Sequence, residues 1–423
     1  MYLPRSTKWS MNRRRRRPNY FGLVIFGLVV LFGYYFNQVY LPSTPLLAGP
    51  TPTATRSPEA YKTEAEQLFN VGKLTQAIDA YEAAKSAAPQ DPSLYVGLAR
   101  IQVWAGKYEE AQKNAEYALL LNNNNAMAHA VHAWALDFQD GKNGQALEAI
   151  AEALKLDPNS AVIQAYYVEI LVDSGFDNYE KAAEVSRVAL ALDDKIVETH
   201  RARGYLLNVT QNYEESIREY EEALKLNKNL ALLYMELGDN YRALSAKDEA
   251  VQAYTTAITL NPSDPEPSYL ISRTYSTFGE YSKALQYAES AVQVSPGDAS
   301  LRGNLGVMYY RNFDYVQALP ELGFAIFGGT TPEGVEIKGI TLSNSQLVTE
   351  YYFTFGLALA RMNRCGDALK IVQELQSKVS TDEVAMDAAN RTIEICQENL
   401  NNPAVDTSTP ASPAETETPV PTP

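Results

Sequence analysis

Between residues 58 and 400, apolar and small residues recur with a period of 34 residues. In Ala231–Asp264 the large apolar residues fall three and four positions apart, so they share one face of a helix. Small residues stand where two helices must approach closely, and a proline ends the second helix. These positions are Tyr234, Leu237, Gly238, Tyr241, Ala250, Tyr254, Ala257 and Pro262. The pattern predicts a hairpin of two antiparallel helices.

The same pattern occurs nine times along the chain, and nine occurrences at fixed spacing are not chance. The third unit carries one extra residue and the fourth, which is the poorest match, carries two. The units are Pro58–Asp91, Pro92–Asn125, Ala126–Ser160, Ala161–Ile196, Val197–Leu230, Ala231–Asp264, Pro265–Asp298, Ala299–Pro332 and Thr349–Ser380.

The spacing of Gly238, Tyr241, Ala250, Tyr254, Ala257 and Pro262 resembles the tetratricopeptide repeat (TPR), a helix–turn–helix unit of 34 residues. The resemblance covers residues 58–380. It implies an all-α fold, a right-handed superhelical solenoid of about nine repeats. It is specific for architecture and says little about function.

The end of the solenoid requires a polar cap, because the last repeat has no following neighbour. Ser380 to Glu383 reads as a capping box, and residues 381–400 predict an amphipathic capping helix. A second departure from the repeat is an inserted loop at about residues 327–348, which contains four glycines. This loop either lies at a binding face, as inserted loops in solenoids often do, or is an insertion without a role.

The N-terminal segment is unlike the rest of the chain. Residues 1–18 carry five consecutive arginines and no acidic residue, and Tyr20–Phe36 carries no charge. This pattern predicts a transmembrane helix at residues 19–41 with a cytoplasmic N-terminus and an extracytoplasmic body. The alternative is a cleaved signal peptide, but no small-residue cleavage site follows Phe36 directly.

Two segments rich in proline, threonine and serine flank the repeats, at residues 42–57 and 401–423. Neither has apolar periodicity, so we expect the first to be an extended spacer and the second to be a disordered tail. Their composition would also suit O-glycosylation, although a plain linker is the simpler interpretation.

Composition narrows the possible functions. The formal net charge is −15 and the pI is about 4.8, which disfavours nucleic-acid binding because phosphate contacts require clustered basic residues. Two cysteines exclude a four-cysteine metal site, and three histidines disfavour a histidine-based metal enzyme. The sequence shows no phosphate-binding glycine loop and no nucleophile elbow. We therefore expect no catalytic residues, no cofactor and no small-molecule substrate.

Cys365 and Cys396 lie at similar distances before and after the predicted turn at Ser380. Two antiparallel helices joined at that turn would place both cysteines at the same end. An extracytoplasmic body would favour a disulfide between them. The alternative is a pair of small buried apolar residues.

In the TPR family the concave surface is formed by residues of the first helices, which implies a peptide-binding groove here. Aromatic side chains predominate in its first three repeats, and arginines that could receive an acidic segment line its second half. The predicted groove residues are Phe69, Arg100, Trp104, Trp134, Phe138, Tyr205, Arg242, Tyr269, Arg273, Tyr310, Arg311 and Arg361. The alternatives are that the tryptophans pack against the next repeat and that Arg242 pairs with Asp239.

Together these patterns predict a membrane-anchored TPR scaffold that binds protein or peptide segments in a cell-envelope assembly. Two other functions are left open. One is a receptor that faces the cytosol from an organelle surface, which requires the opposite topology. The other is an enzyme with a catalytic site within the solenoid, although the sequence contains no catalytic motif that supports it.

Overall fold

The computed structural model describes residues 20–36, 38 and 56–401. The predicted basic N-terminus, most of the linker at 42–57 and nearly all of the tail at 401–423 lie outside these residues. The chain divides into two compact units, residues 1–56 and 57–423.

The first unit contains one described helix, α1 (Tyr20–Tyr35), whose described side chains are mostly exposed. It has 16 residues, fewer than the segment predicted at 19–41, and the flanking residues at 19, 37 and 39–41 are outside the described part. None of the helices in the described residues has the length and apolar character needed to cross a membrane.

The second unit is built from helical hairpins, nine of them between residues 58 and 378. Their helices are α2 (Pro58–Asn70), α3 (Leu74–Ala87), α4 (Pro92–Trp104), α5 (Tyr108–Leu121), α6 (Ala126–Asp137), α7 (Asn143–Leu156), α8 (Ala161–Asp173), α9 (Tyr179–Leu192), α10 (Val197–Val209), α11 (Tyr213–Leu226), α12 (Ala231–Ala243), α13 (Lys247–Leu260), α14 (Glu266–Thr277), α15 (Tyr281–Val294), α16 (Ala299–Arg311), α17 (Tyr315–Phe327), α18 (Gln346–Arg361) and α19 (Cys365–Lys378). A short 3₁₀ turn, Phe176–Asn178, precedes α9.

The first helix of several hairpins begins where the sequence provides a cap. The side chains of Ser57, Asp91, Asn125 and Asp298 accept hydrogen bonds from backbone N–H groups in the first turns of α2, α4, α6 and α16. Such capping satisfies donors that a helix start otherwise leaves without acceptors.

Close packing within a hairpin depends on small residues. A Cβ atom placed on Gly238 of α12 would lie 2.6 Å from the ring of Tyr254 on α13. Glycine is therefore required for Tyr254 to lie flat against α12, where its side chain is fully buried. Alanines on the second helices, among them Ala111, Ala118 and Ala257, are also fully buried. The repeat pattern thus marks the interior of the array.

The insertion between α17 and α18 is ordered and packed. Strands β1 (Gly329–Thr330) and β2 (Glu336–Ile337) form a short antiparallel pair. The hydroxyl of Tyr352 on α18 accepts a hydrogen bond from the Leu342 N–H at 3.1 Å and donates one to the Ile340 carbonyl at 3.0 Å. Ile337 and Leu342 are buried. The insertion is therefore fixed to the ninth hairpin.

The capping helix is α20 (Glu383–Asn401), which packs against both α18 and α19. A disulfide joins Cys365 at the start of α19 to Cys396 in α20, with a Cα–Cα distance of 5.5 Å. The predicted capping helix and the predicted cysteine pair are both present in the structure.

Candidate binding cleft of the C-terminal repeats

The interior of the first six repeats is filled by the protein's own side chains. Arg201 of α10 is only 3% exposed. Its guanidinium carbon lies 5.6 Å from the ring of Trp104, 5.8 Å from that of Trp134 and 5.7 Å from that of Phe138. These distances suit cation–π contacts. The aromatic side chains of repeats two and three therefore surround a cation from repeat five.

Carboxylates complete the surroundings of Arg201. The guanidinium donates hydrogen bonds to Glu169 of α8 at 2.6 Å and to Glu236 of α12 at 2.6 Å. Burial opposes the charged form of Arg201, but the two carboxylates outweigh it and raise its pKa well above the usual value. Arg201 stays charged, as a buried ion-paired group must.

Contacts distant in sequence close this part of the array. Arg100 of repeat two donates a hydrogen bond from Nε to Glu198 of repeat five at 3.0 Å. The side chain of Asn229 donates to the carbonyl of Asn70 at 2.9 Å, which joins the end of the fifth repeat to the first. Gly72 has a φ of +76°, and a Cβ on it would meet the Asn229 carbonyl oxygen at 2.5 Å. The first repeat thus lies directly against the end of the fifth, just before the sixth begins.

These contacts correct the prediction of an open aromatic groove. Phe69, Trp104 and Trp134 are 5%, 4% and 0% exposed, so they are interior packing groups. Phe138 stacks on Tyr108 with a 4.5 Å centroid distance. Arg100 pairs with Glu198, and the Tyr205 hydroxyl donates to Asp173. The alternative interpretation, that the tryptophans pack against following repeats, describes the structure.

Arginines of the C-terminal repeats lie instead around an open cleft of about 660 Å³. Four of the predicted groove residues line it. They are Arg242 of α12, Tyr269 and Arg273 of α14 and Arg311 of α16. Each comes from the first helix of a repeat, as the resemblance implies. The cleft therefore brings together four of the predicted groove residues at an accessible site.

Two of these arginines share one carboxylate. Glu350 of α18 accepts a hydrogen bond on one oxygen from Arg273 at 2.7 Å and on the other from Arg311 at 2.7 Å. Burial opposes the charge on Arg273, but Glu350 outweighs it and raises the Arg273 pKa. The third arginine, Arg242, pairs with Asp239 at 3.1 Å, the i,i+3 pair considered from the sequence.

The remaining wall comes from the insertion and the cap. Ser345, Gln346 and Leu347 lie at the start of α18, and Asp382 and Val384 lie at the start of α20. The sequence did not identify these residues or Glu350 as site residues. The available signals were the insertion, which departs from the repeat, and the placement of Glu350 in an otherwise uncharged run.

Tyr310 and Arg361 are outside the set of residues that lines the cleft. The Tyr310 ring contacts that of Tyr315 with a centroid distance of 5.4 Å. Burial raises the pKa of the Tyr310 hydroxyl, and the nearby Arg361 lowers it by a smaller amount. These two residues are neighbours of each other near the cap. They are not part of the arginine cluster.

Comparisons with known proteins agree with the repeat architecture. Models of the tetratricopeptide repeat match residues 68–135, 201–265 and 269–323. The chain therefore contains tetratricopeptide repeats, and the prediction of a TPR solenoid is confirmed. Among curated proteins none matches the chain.

The solved structures that resemble this chain include a human IFIT1 dimer with PPP-AAAA, whose sequence is 15% identical to this one. The match covers 81% of this chain and 83% of that one, with a TM-score of 0.54. Cut9 with Hcn1, an APC/C hetero-tetramer, is 17% identical with a TM-score of 0.46. That match covers 59% of this chain and 49% of that one, so the chain spans about half its length. At these identities the likeness concerns the fold alone.

Proposed function

We propose that the protein is a TPR scaffold that binds segments of partner proteins, and that the cleft between α12, α14, α16 and α18 is its binding site. The observation that carries the proposal is the contrast between the two halves of the array. The interior of repeats one to six is occupied by Arg201 and its aromatic and acidic partners. The cleft is open and holds charged and apolar side chains together. Such a mixture suits peptide recognition. The proposal includes no catalytic activity.

Selection from a random library of displayed 12-residue peptides tests this function, with the full-length protein as bait. The change Gln346→Trp places a large side chain in the cleft, and Gln293→Trp places the same side chain on the exposed face of α15, outside it. We expect peptides selected on the unaltered protein to bind the Gln293→Trp variant equally well and to lose binding to Gln346→Trp. Selection of no peptide, or equal binding to both variants, would contradict the proposal.

We further propose that residues 19–41 tether the scaffold to a membrane with the repeats on the extracytoplasmic side, in a cell-envelope assembly. The support is the uncharged run Tyr20–Phe36 after five arginines. The Cys365–Cys396 disulfide also favours an oxidising compartment. Tethering would raise the local concentration of the cleft near membrane-bound partners.

Extraction and protease protection test the tether. We expect the full-length protein to stay in the membrane pellet at alkaline pH and the repeats to be cleaved only by protease added on the outer side. Release into the supernatant would contradict the tether. Cleavage from the cytosolic side would support the receptor of opposite topology instead.

A further inference from the structure

We propose that the cleft takes an acidic protein segment, whose carboxylate is held by Arg273, Arg311 and the N-terminus of α18, in competition with Glu350. This inference rests on the proposed function and adds the chemistry of the partner. Three independent features of the cleft support it: the shared carboxylate, the start of α18 and the apolar rim.

Arg273 and Arg311 already bind the Glu350 carboxylate between them, so this pair of arginines can hold a carboxylate group. Glu350 places one oxygen 2.7 Å from each guanidinium. Each guanidinium carries five N–H donors. Among the described residues, Arg273 uses one donor on Glu350, and Arg311 uses two, on Glu350 and Ser276. Two cations therefore face one anion, and unused donors remain for a second carboxylate.

The start of α18 adds further donors on the same wall. This helix has 16 residues, whereas the first helices of the other repeats have 12 or 13, and its first residues, Gln346 and Leu347, line the cleft. Its N-cap residue, Ser345, makes no side-chain capping bond. The first backbone N–H groups of a helix have no partner within it and attract anions. The insertion thus supplies an uncapped helix start beside the arginines.

The rim of the cleft is apolar. Leu270, Leu347, Phe353 and Val384 line it, and Val384 is 65% exposed. These side chains suit leucine-like residues next to the acidic one. Two of the nearby acidic groups have partners of their own, since Asp382 accepts from the Ala385 N–H at 3.0 Å and Asp239 pairs with Arg242.

The net charge of −15 would repel an acidic partner at long range. That repulsion is screened over about 8 Å at physiological ionic strength. Contacts between a carboxylate and guanidinium groups act at less than 4 Å and are screened much less when partly buried. The local arginines therefore outweigh the distant acidic surface.

Fluorescence anisotropy with the full-length protein in detergent tests the inference. The probe is a fluorescein-labelled peptide of four Leu-Gly-Glu units, and its matched control has glutamine in place of every glutamate. We expect the glutamine peptide to bind at least about tenfold more weakly, because charge-assisted hydrogen bonds are lost. Arg311→Gln should weaken binding of the acidic peptide by a similar factor. Arg218→Gln changes an exposed arginine of α11, paired at i,i+3 like Arg242, and should have no effect.

Glu350→Gln gives the sharpest outcome, because it removes the competing charge and retains the shape. We expect it to tighten binding of the acidic peptide by roughly five- to tenfold. Unchanged or weaker binding would overturn the role of Glu350. Equal binding of both peptides, lost in Gln346→Trp, would overturn the acidic preference and leave the proposed function standing. Absence of binding by any library peptide would defeat the proposed function itself, and this inference with it.

Discussion

At the residue scale, Arg201 is a charged side chain that is buried in the interior of the repeats and does not face a ligand. Arg201 lies on α10, the first helix of its repeat, and in the TPR family the residues of first helices form the concave surface. The structure surrounds it with Trp104, Trp134, Glu169 and Glu236 instead. A buried ion pair stabilises little compared with apolar packing, but removing one partner leaves the other charge unpaired.

Replacing Arg201 with methionine should therefore destabilise the protein strongly. Glu169 and Glu236 would lose their cation, and we expect a loss of about 3–5 kcal/mol. Arg203→Met is the matched control, since Arg203 pairs with Glu219 at a partly exposed site and should cost only roughly 0–1 kcal/mol. Urea denaturation followed by circular dichroism measures both. Equal effects of the two changes would show that Arg201 is not the centre of the interior.

The carboxyl of Asp137 predicts a pH dependence. Burial raises its pKa well above the ordinary value of 3.8, and Asp173 and Glu169 raise it further, while Arg201 opposes them. The folded state then retains a proton that the unfolded chain releases, so stability falls as pH rises above about 4. We expect Asp137→Asn to be more stable than the unaltered protein at pH 8, with a gain that shrinks toward pH 4. A gain independent of pH would contradict this assignment.

At the element scale, the sequence predicted the hairpins because each contains its own signals. Capping residues, small residues at helix crossings and the proline or glycine turns all act within one unit. The closed interior could not be predicted in this way. It depends on how the rotation of each repeat accumulates until Asn229 meets Asn70. Glu350 was missed for a similar reason, since its partners lie 39 and 77 positions away along the chain.

The cap is the element whose stability depends on a covalent bond. The disulfide closes a loop with a sequence separation of 31 between α19 and α20. Chain entropy attributes about 3–4 kcal/mol to such a loop. Changing both Cys365 and Cys396 to alanine should lower the melting temperature and speed amide hydrogen exchange in α20 more than in α2. Unchanged exchange in α20 would show that packing alone holds the cap.

At the scale of the whole array of repeats, the first six repeats are closed by contacts between distant residues, whereas the last repeats form an open cleft. The interior of the closed part is filled by its own side chains, and the paired arginines Arg273 and Arg311 line the open cleft. The seam between the first repeat and the end of the fifth is where this division can be tested, because a single glycine allows the approach.

Gly72→Ala and Gly106→Ala form a matched pair for the seam. Both residues have positive φ, +76° and +73°, so both changes carry the same backbone penalty of about 1–2 kcal/mol. Only at Gly72 would the added methyl group meet Asn229, while at Gly106 nothing lies within 4 Å. We expect Gly72→Ala to enlarge the radius of gyration in small-angle scattering and Gly106→Ala to leave it unchanged. Identical scattering from the two variants would argue against closure at this point.

Site-specific photo-crosslinking tests the central claim most directly. A benzophenone amino acid is placed at residue 346 in the cleft or at residue 293 outside it, in the full-length protein under native conditions. We predict covalent adducts with a defined partner from position 346 and none above background from position 293. Adducts of equal yield from both positions, or from position 293 alone, would contradict a binding site in the cleft.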